Sequence, residues 1–278
     1  MSTADAKSNK RKRPLVEDAE PNGKKKPNLL CVHLTRAHPC FHPLTYTSII
    51  RGPQTIVTVN VKRDPLSKTL LPFRVHKNYI CHYSPYFEAA FNGNFVEGET
   101  QVLELDDTDP RIFGMFVNWI YTQELVNEEG NSPSCTSCIN LWILADRLLV
   151  PSLQNQALVC LDLVRSKWGS GVPGTSLGSK IFKRVWDNTT EESPLRSYLV
   201  EAMVRKPKSG GIKYPEDYPH DMLVAIINGL RDREYNRNLR EGVHHDSWIF
   251  SDAELDRFRV AEGVGVEARK DRTGATES

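Results

Sequence analysis

Residues 31–42 contain a dense group of side chains that could bind a metal ion. Its members are Cys31, His33, His38, Cys40 and His42. Thiolate and imidazole groups suit Zn²⁺, but structural zinc sites usually hold two ligand pairs that are a dozen or more residues apart. Here the pairs are too close, and both would lie on one extended stretch. The spacing therefore favours a linker, and no bound metal is expected.

Two further patterns have the residue spacing of known functional motifs but lack the neighbouring structural elements that those motifs need. Cys135 and Cys138 form a Cys-x-x-Cys pair, but the sequence has no second such pair and no βαβ setting for a redox site. Residues 169–174 read Gly-x-Gly-x-x-Gly, as in dinucleotide-binding loops. Such a loop needs a strand before it, whereas a helix is predicted there, and Pro173 removes one backbone donor. Neither pattern predicts a functional site.

The sequence offers no recognisable catalytic motif. Gly-x-Ser-x-Gly, Walker-type and His-Glu-x-x-His patterns do not occur in it. We therefore expect no enzyme, no cofactor and no small-molecule substrate. Six irregularly spaced cysteines in 278 residues fit a reduced intracellular protein. No apolar run approaches the ~20 residues needed to cross a bilayer, so no membrane association is expected.

Two basic clusters lie near the N-terminus. They are Lys10, Arg11, Lys12 and Arg13, and then Lys24, Lys25 and Lys26. Residues 1–26 carry a net charge of +4, whereas the remainder carries −3. Two such clusters resemble a bipartite nuclear-import signal, which predicts importin as a partner and the nucleus, alongside the cytoplasm, as the location. The alternative is a nucleic-acid-binding regulator whose basic arm contacts phosphates.

The pattern of apolar residues predicts the secondary structure of the chain. Residues 1–48 lack apolar periodicity and are predicted to be a disordered basic segment. Residues 55–61 and 71–75 show the alternation of two half-buried strands. Asp109 and Pro110 suit the N-cap and first residue of one helix, and Ser84 and Pro85 suit those of an earlier helix. On that helix, Phe87 and Phe91 are four residues apart and therefore share a buried face. These elements predict a small sheet that packs against helices.

This order of elements resembles the BTB/POZ family, in the Phe-x-Val-His … Ser-x-Tyr-Phe form of its fungal members, at residues 73–76 and 84–87. Further matches follow at residues 102–110, 113–122 and 144–148. The resemblance implies an α+β fold with a BTB/POZ domain, a small β-sheet flanked by a cluster of α-helices. It also implies a non-catalytic protein–protein interaction module that forms a homodimer and acts as a nuclear scaffold or regulator.

The resemblance also carries expectations for single residues. His76 stands where the family has a buried histidine bonded to backbone. Gln54 and Thr55 stand where the family often has an aspartate, which weakens an inherited dimer contact. Phe95, Val96 and Glu97 match the hydrophobic-x-Glu motif of BTB adaptors for cullin-based ubiquitin ligases. In that alternative function the apolar side chain fills a groove on the cullin scaffold, while the carboxylate pairs at its rim.

The sequence also predicts the organisation of the remaining chain. The BTB/POZ domain is assigned to residues 49–167, within which residues 92–100 are expected to form a polar loop and residues 124–134 a surface insertion. Residues 168–235 are predicted to form a helical extension with three amphipathic stripes. Residues 236–278 are predicted to be a disordered or loosely helical tail that the fold does not need.

Overall fold

The computed structural model of the protein describes residues 55–62, 69–167, 174–205, 215–239 and 250–262, with the side chains of residues 233–239 outside this description. The predictions for residues 1–48, including both basic clusters and the group of potential metal ligands, therefore lie outside the described residues. The same holds for most of the glycine-rich pattern at residues 169–174.

A three-stranded sheet forms the base of the fold. Its strands are β1 (Ile56–Val61), β2 (Leu71–His76) and β3 (Val102–Leu105), in the order β2-β1-β3. The central strand β1 pairs antiparallel with β2 and parallel with β3. Val57, Val59 and Val61 are fully buried, as the alternation predicts. Leu71 is 47% exposed, so the buried face of β2 is shorter than the sequence indicates.

The helices follow the predicted order. Their bounds are α1 (Lys77–Tyr83), α2 (Pro85–Asn92), α3 (Val96–Thr100), α4 (Pro110–Thr122), α5 (Cys135–Arg147), α6 (Pro151–Arg165), α7 (Lys180–Asn188), α8 (Pro194–Arg205), α9 (His220–Leu239) and α10 (Asp252–Leu255). The predicted caps are confirmed: the Ser84 hydroxyl accepts from the backbone N–H of Phe87, and the Asp109 carboxylate accepts from that of Arg111. Each cap satisfies a donor that the first turn leaves unpaired.

An aromatic cluster joins the sheet to the helices. Phe87 and Phe91 are buried, and their rings stack 5.9 Å apart. Phe87 also stacks on Phe116 at 6.2 Å, while Phe113 meets Phe73 of β2 edge-on at 4.9 Å. Offset and edge-to-face contacts of this kind add to the free energy gained from burial alone. The cluster therefore fixes α2 and α4 on the sheet.

Residues 124–134 are not merely a surface insertion. Leu125 has no exposed surface, and Pro133 is buried as well. The backbone of Asn127 also accepts from Gly130, at 2.9 Å. The segment therefore anchors itself in the core between α4 and α5, which polar composition alone did not indicate.

The helical extension confirms two of the three predicted stripes. α7 buries Ile181, Phe182 and Val185, and α8 buries Leu195, Tyr198, Leu199 and Ala202. On α9 only Met222 and Ile226 are buried, whereas Ile227 and Leu230 are 56% and 48% exposed. Met222 and Ile226 are four positions apart and therefore lie one above the other on the same face of α9. Only this narrow face packs against α8. The sequence predicts a third stripe of Met222, Leu223, Ile226, Ile227 and Leu230, and this prediction is wrong for Ile227 and Leu230.

The tail prediction is wrong for residues 250–262. Phe250, Leu255 and Phe258 are 4–5% exposed, and the first of them packs on Tyr198 with the ring centroids 5.2 Å apart. Asn155 on α6 accepts from the backbone N–H of Val260 at 2.8 Å and donates to its carbonyl at 3.0 Å. This segment, which we call the C-terminal clamp (residues 250–262), therefore ties the end of the described chain to α6 and α8.

A buried polar network lies beneath the clamp. Arg165 donates to the Asp162 carboxylate at 2.5 Å and to the Tyr198 hydroxyl at 3.0 Å, and that hydroxyl donates to Asp162 at 2.9 Å. The Arg165 guanidinium also lies 5.5 Å from the ring centre of Phe250. Burial raises the pKa of Tyr198 well above its ordinary value, so the phenol stays protonated and can donate. The network thus connects α6, α8 and the C-terminal clamp.

Candidate protein-interaction site

The predicted motif residues Phe95 and Val96 lie on the protein surface. Their side chains are 63% and 70% exposed, and Glu97 beside them is half-buried. Residues 92–100 were predicted as a polar loop, but they contain the short helix α3. The helix forms because the Phe95 carbonyl accepts from the N–H groups of Gly98 and Glu99, at 2.9 and 3.3 Å.

Local contacts hold this segment in place. The backbone N–H of Gln101 donates to the Glu97 carbonyl at 2.9 Å, with Gln101 in the left-handed region at φ 57°. Its side-chain amide reaches back to the Phe91 carbonyl at 3.2 Å. Gly98 packs so closely on Gly93 that a Cβ would overlap the carbonyl oxygen of Gly93. The exposed aromatic ring is therefore presented by an ordered turn anchored to helix α2.

The chemistry of this surface is an apolar pair beside carboxylates. Glu97 and Glu99 lie in the first turn of α3, where the helix dipole favours negative charge. Large apolar side chains that are more than half exposed are common anchors of protein interfaces, and neighbouring charges affect association rate and specificity. The arrangement can bind a partner that offers an apolar groove and a basic rim. It contains no group placed for catalysis.

His76 takes a structural role through a partner that the sequence did not indicate. It is half-buried, and its Nδ1 lies 2.8 Å from the Tyr121 hydroxyl. That hydroxyl also accepts from the His76 backbone N–H at 3.0 Å. The expected bond to backbone is therefore replaced by a side-chain bond that joins β2 to α4 across 45 positions of sequence.

The Cys-x-x-Cys pair lies in the core. Cys135 and Cys138 are both buried as thiols, and the Cys135 thiol lies 3.3 Å from the Thr175 carbonyl oxygen. Cys81 is buried too, and burial raises the pKa of its thiol to about 12. Within the described ranges, no group of three or more His, Cys, Asp or Glu side chains is placed to hold a metal ion.

A second exposed apolar surface was missed by the sequence interpretation. The face of the sheet that points away from the helices carries Ile56 and Val102, which are 45% and 38% exposed. Thr58 of β1 lies between Arg74 and Val102 in the strand register. The alternation of residues 55–61 contained the signal, since one strand face must be buried and the other open. We call this surface the open sheet face (Ile56, Thr58, Arg74 and Val102).

Membrane insertion through the described elements has no support. None of the helices in the part of the chain that the structure describes combines the length and apolar character of a membrane span.

The sequence is similar to known proteins that contain a BTB/POZ domain. The family model for the BTB/POZ domain matches residues 67–161. Kelch-like protein 40 of Xenopus tropicalis is 30% identical over 95 residues, which are 34% of this chain and 14% of that protein. Kelch-like protein 30 of Homo sapiens is 35% identical over 79 residues, 28% of this chain and 13% of that protein. TD and POZ domain-containing protein 4 of Mus musculus is 31% identical over 90 residues, 32% of this chain and 22% of that protein.

The similarity covers one domain, because the chain spans less than a quarter of the length of these relatives. The match covers β2, β3, α1 to α5 and most of α6, whereas the central strand β1 lies just before it. Residues 67–161 therefore belong to a BTB/POZ domain, a protein–protein interaction module.

Proposed function

We propose that the whole protein is a non-catalytic scaffold or regulator that acts by binding other proteins through its BTB/POZ domain. The observation that carries this proposal is the exposed pair Phe95 and Val96, held on an ordered turn beside Glu97. Burying such a pair in a partner removes apolar surface from water without any rearrangement of the turn, which favours association. The fungal form of the family remains a prediction, since the relatives described above are vertebrate proteins.

A cullin scaffold is the partner that this surface favours. The resemblance to BTB adaptors places an apolar residue and a glutamate at the positions of Phe95 and Glu97. The exposed ring supplies the anchor, and the carboxylate two residues later supplies a group for a basic rim. In this mode the protein is a substrate adaptor for a cullin-based ubiquitin ligase.

Titration of the full chain against the N-terminal part of the host's cullin scaffold tests this mode. Phe95→Ala should weaken binding by about 2 kcal/mol or more, a rise in Kd of roughly 30-fold or more, because the anchor is lost. Glu97→Ala should weaken binding less and flatten its dependence on salt. Calorimetry or fluorescence anisotropy measures both effects.

Leu149→Ala is the matched control, since that side chain is 55% exposed at the end of α5, outside the motif. It should bind as the parent does. If the parent protein shows no binding at micromolar concentrations, the cullin partner is wrong and a scaffold with another partner remains.

Self-association is the second property we propose. The open sheet face supports it, because half-apolar strand surfaces are commonly covered by another chain. A stable dimer needs about 1,200 Å² or more of total buried area. That area requires more than Ile56 and Val102 alone, so neighbouring residues of the domain must contribute.

Light scattering on the full chain at micromolar concentrations should give the mass of a homodimer. Ile56→Lys should shift the mass towards the monomer, because a charge in the interface would lose its hydration. Val224→Lys is the control, since Val224 is 43% exposed on α9 and lies outside the sheet. A monomeric mass for the parent protein would contradict the proposal.

Nuclear import through importin is the third property, and it rests on the two basic clusters. Changing Lys10–Arg13 and Lys24–Lys26 to alanine should release a fluorescently tagged protein into the cytoplasm, because the import receptor reads both clusters. Microscopy of parent and variant measures the nuclear fraction. An unchanged nuclear fraction would place the signal elsewhere, and salt-dependent DNA binding that is lost with the same changes would favour the nucleic-acid-binding role instead.

A further inference from the structure

A groove lies on the helical extension, away from the BTB/POZ motif. Its volume is about 900 Å³, and residues of α7, α8, α9 and α10 line it. Clefts of this size commonly bind ligands or peptide segments. The apolar part of its lining comes from Trp186, Val200, Val204 and Ala225.

Two of the carboxylates that line the groove are held in ion pairs. Arg205 donates to Glu201 at 2.6 Å and to Glu254 at 2.7 Å. The hydrogen bond from Arg205 lowers the pKa of Glu254 to about 2, so that carboxylate stays ionised and paired. These three side chains already pair with one another, and Glu254 belongs to the C-terminal clamp.

The other two carboxylates of the lining belong to Glu191 and Asp221. Both residues are exposed, and neither forms an ion pair with any residue that the structure describes. Arg196, also in the lining, is held by the Trp186 carbonyl at 2.6 Å, and its guanidinium lies 5.0 Å from the centre of the Trp186 ring. Among the described residues, four carboxylates and two guanidinium groups line the groove, an excess of negative charge. A complementary ligand therefore carries several cations next to apolar side chains.

The chain itself contains such a segment. Residues 10–16 read Lys-Arg-Lys-Arg-Pro-Leu-Val, four cations followed by apolar side chains. We propose that this segment docks in the groove of the same chain, with its cations at Glu191 and Asp221 and with Leu15 and Val16 on the apolar lining.

Tethering favours this occupant over a free peptide. Residues 17–54 separate the segment from Thr55, and a chain of that length can span on the order of 100 Å. A tethered ligand acts at an effective concentration on the order of 1 mM, so even a weak groove is occupied from within the chain. Docking would cover the first basic cluster and withhold it from the import receptor, a consequence that rests on the nuclear import proposed above.

Zero-length cross-linking of the full chain with a carbodiimide tests the docking. The reagent joins a lysine amine to a carboxylate that lies in contact with it. Mass spectrometry of the monomer band should find Lys10 or Lys12 joined to Glu191 or Asp221. The yield should fall by about tenfold or more in Leu15→Asp/Val16→Asp, because charged side chains replace the apolar contacts with the lining while the reacting lysines and carboxylates remain.

Leu29→Asp/Leu30→Asp is the matched control. It makes the same change in net charge at two apolar positions outside the docking segment and should leave the yield unchanged. Equal melting temperatures for both variants would establish that the fold is intact. Cross-links spread evenly over acidic residues, or found only between two copies of the chain, would overturn the proposal. The assay measures neither cullin binding nor import, so its outcome is independent of the proposed function.

Discussion

Replacing Phe87 by alanine is expected to reduce the free energy of unfolding by about 3–5 kcal/mol. Phe87 has no exposed surface and contacts the rings of Phe91, Phe113 and Phe116. Its removal therefore loses both the transfer free energy of the ring and the contacts of three neighbours around the cavity left behind. Urea denaturation followed by circular dichroism measures the change.

Tyr86→Ala is the control for this prediction. Tyr86 precedes Phe87 on α2 and is 37% exposed, so its replacement should reduce the free energy of unfolding far less. Both substitutions replace an aromatic residue by alanine, so they change the helix propensity in the same direction. Equal midpoints for the two variants would mean that the cluster does not hold α2 on the sheet.

Replacing Arg165 by methionine is expected to have a comparable effect, about 3–5 kcal/mol, for an electrostatic reason. Arg165 and Asp162 are 5% and 2% exposed, and the substitution leaves the Asp162 charge buried without its cation. The triple variant Asp162→Leu, Arg165→Met, Tyr198→Phe should recover part of the loss, because it removes all three polar groups together.

Arg111→Met is the control for the buried pair. Arg111 also bonds a carboxylate, Asp109 at 3.0 Å, but its side chain is 64% exposed. Solvent screens such a pair, so its loss should reduce the free energy of unfolding far less than Arg165→Met does. A triple variant that is less stable than Arg165→Met would contradict the assignment of the loss to an unpaired buried charge.

Features set by neighbouring residues could be predicted from the sequence. Ser84 and Asp109 cap their helices as expected, since a cap involves only adjacent positions. The exposure of Phe95 also followed from its surroundings, because residues 92–100 offer few apolar neighbours to cover a ring. The binding role of Phe95, Val96 and Glu97 remains a prediction.

Features set by distant partners could not be predicted. The bond between His76 and Tyr121 joins positions 45 apart, and nothing near either residue specifies it. The burial of Leu125 depends on the core between α4 and α5. Likewise, the polar composition around Phe250 predicted a disordered tail. Phe250 is ordered by its contact with Tyr198 on α8, which is distant in the sequence. Tertiary contacts outweighed local composition at each of these positions.

The C-terminal clamp can form only late during synthesis of the chain. Asn155 and Val260 are 105 positions apart, so the ribosome must translate the intervening chain before their hydrogen bonds can form. The sheet and its aromatic cluster are complete much earlier, and domains fold from the N-terminal side as they emerge. A nascent chain therefore exposes Tyr198 and the polar pair below it until residue 260 has been translated. A message cut short before codon 250 would leave that surface permanently open to chaperones and proteases.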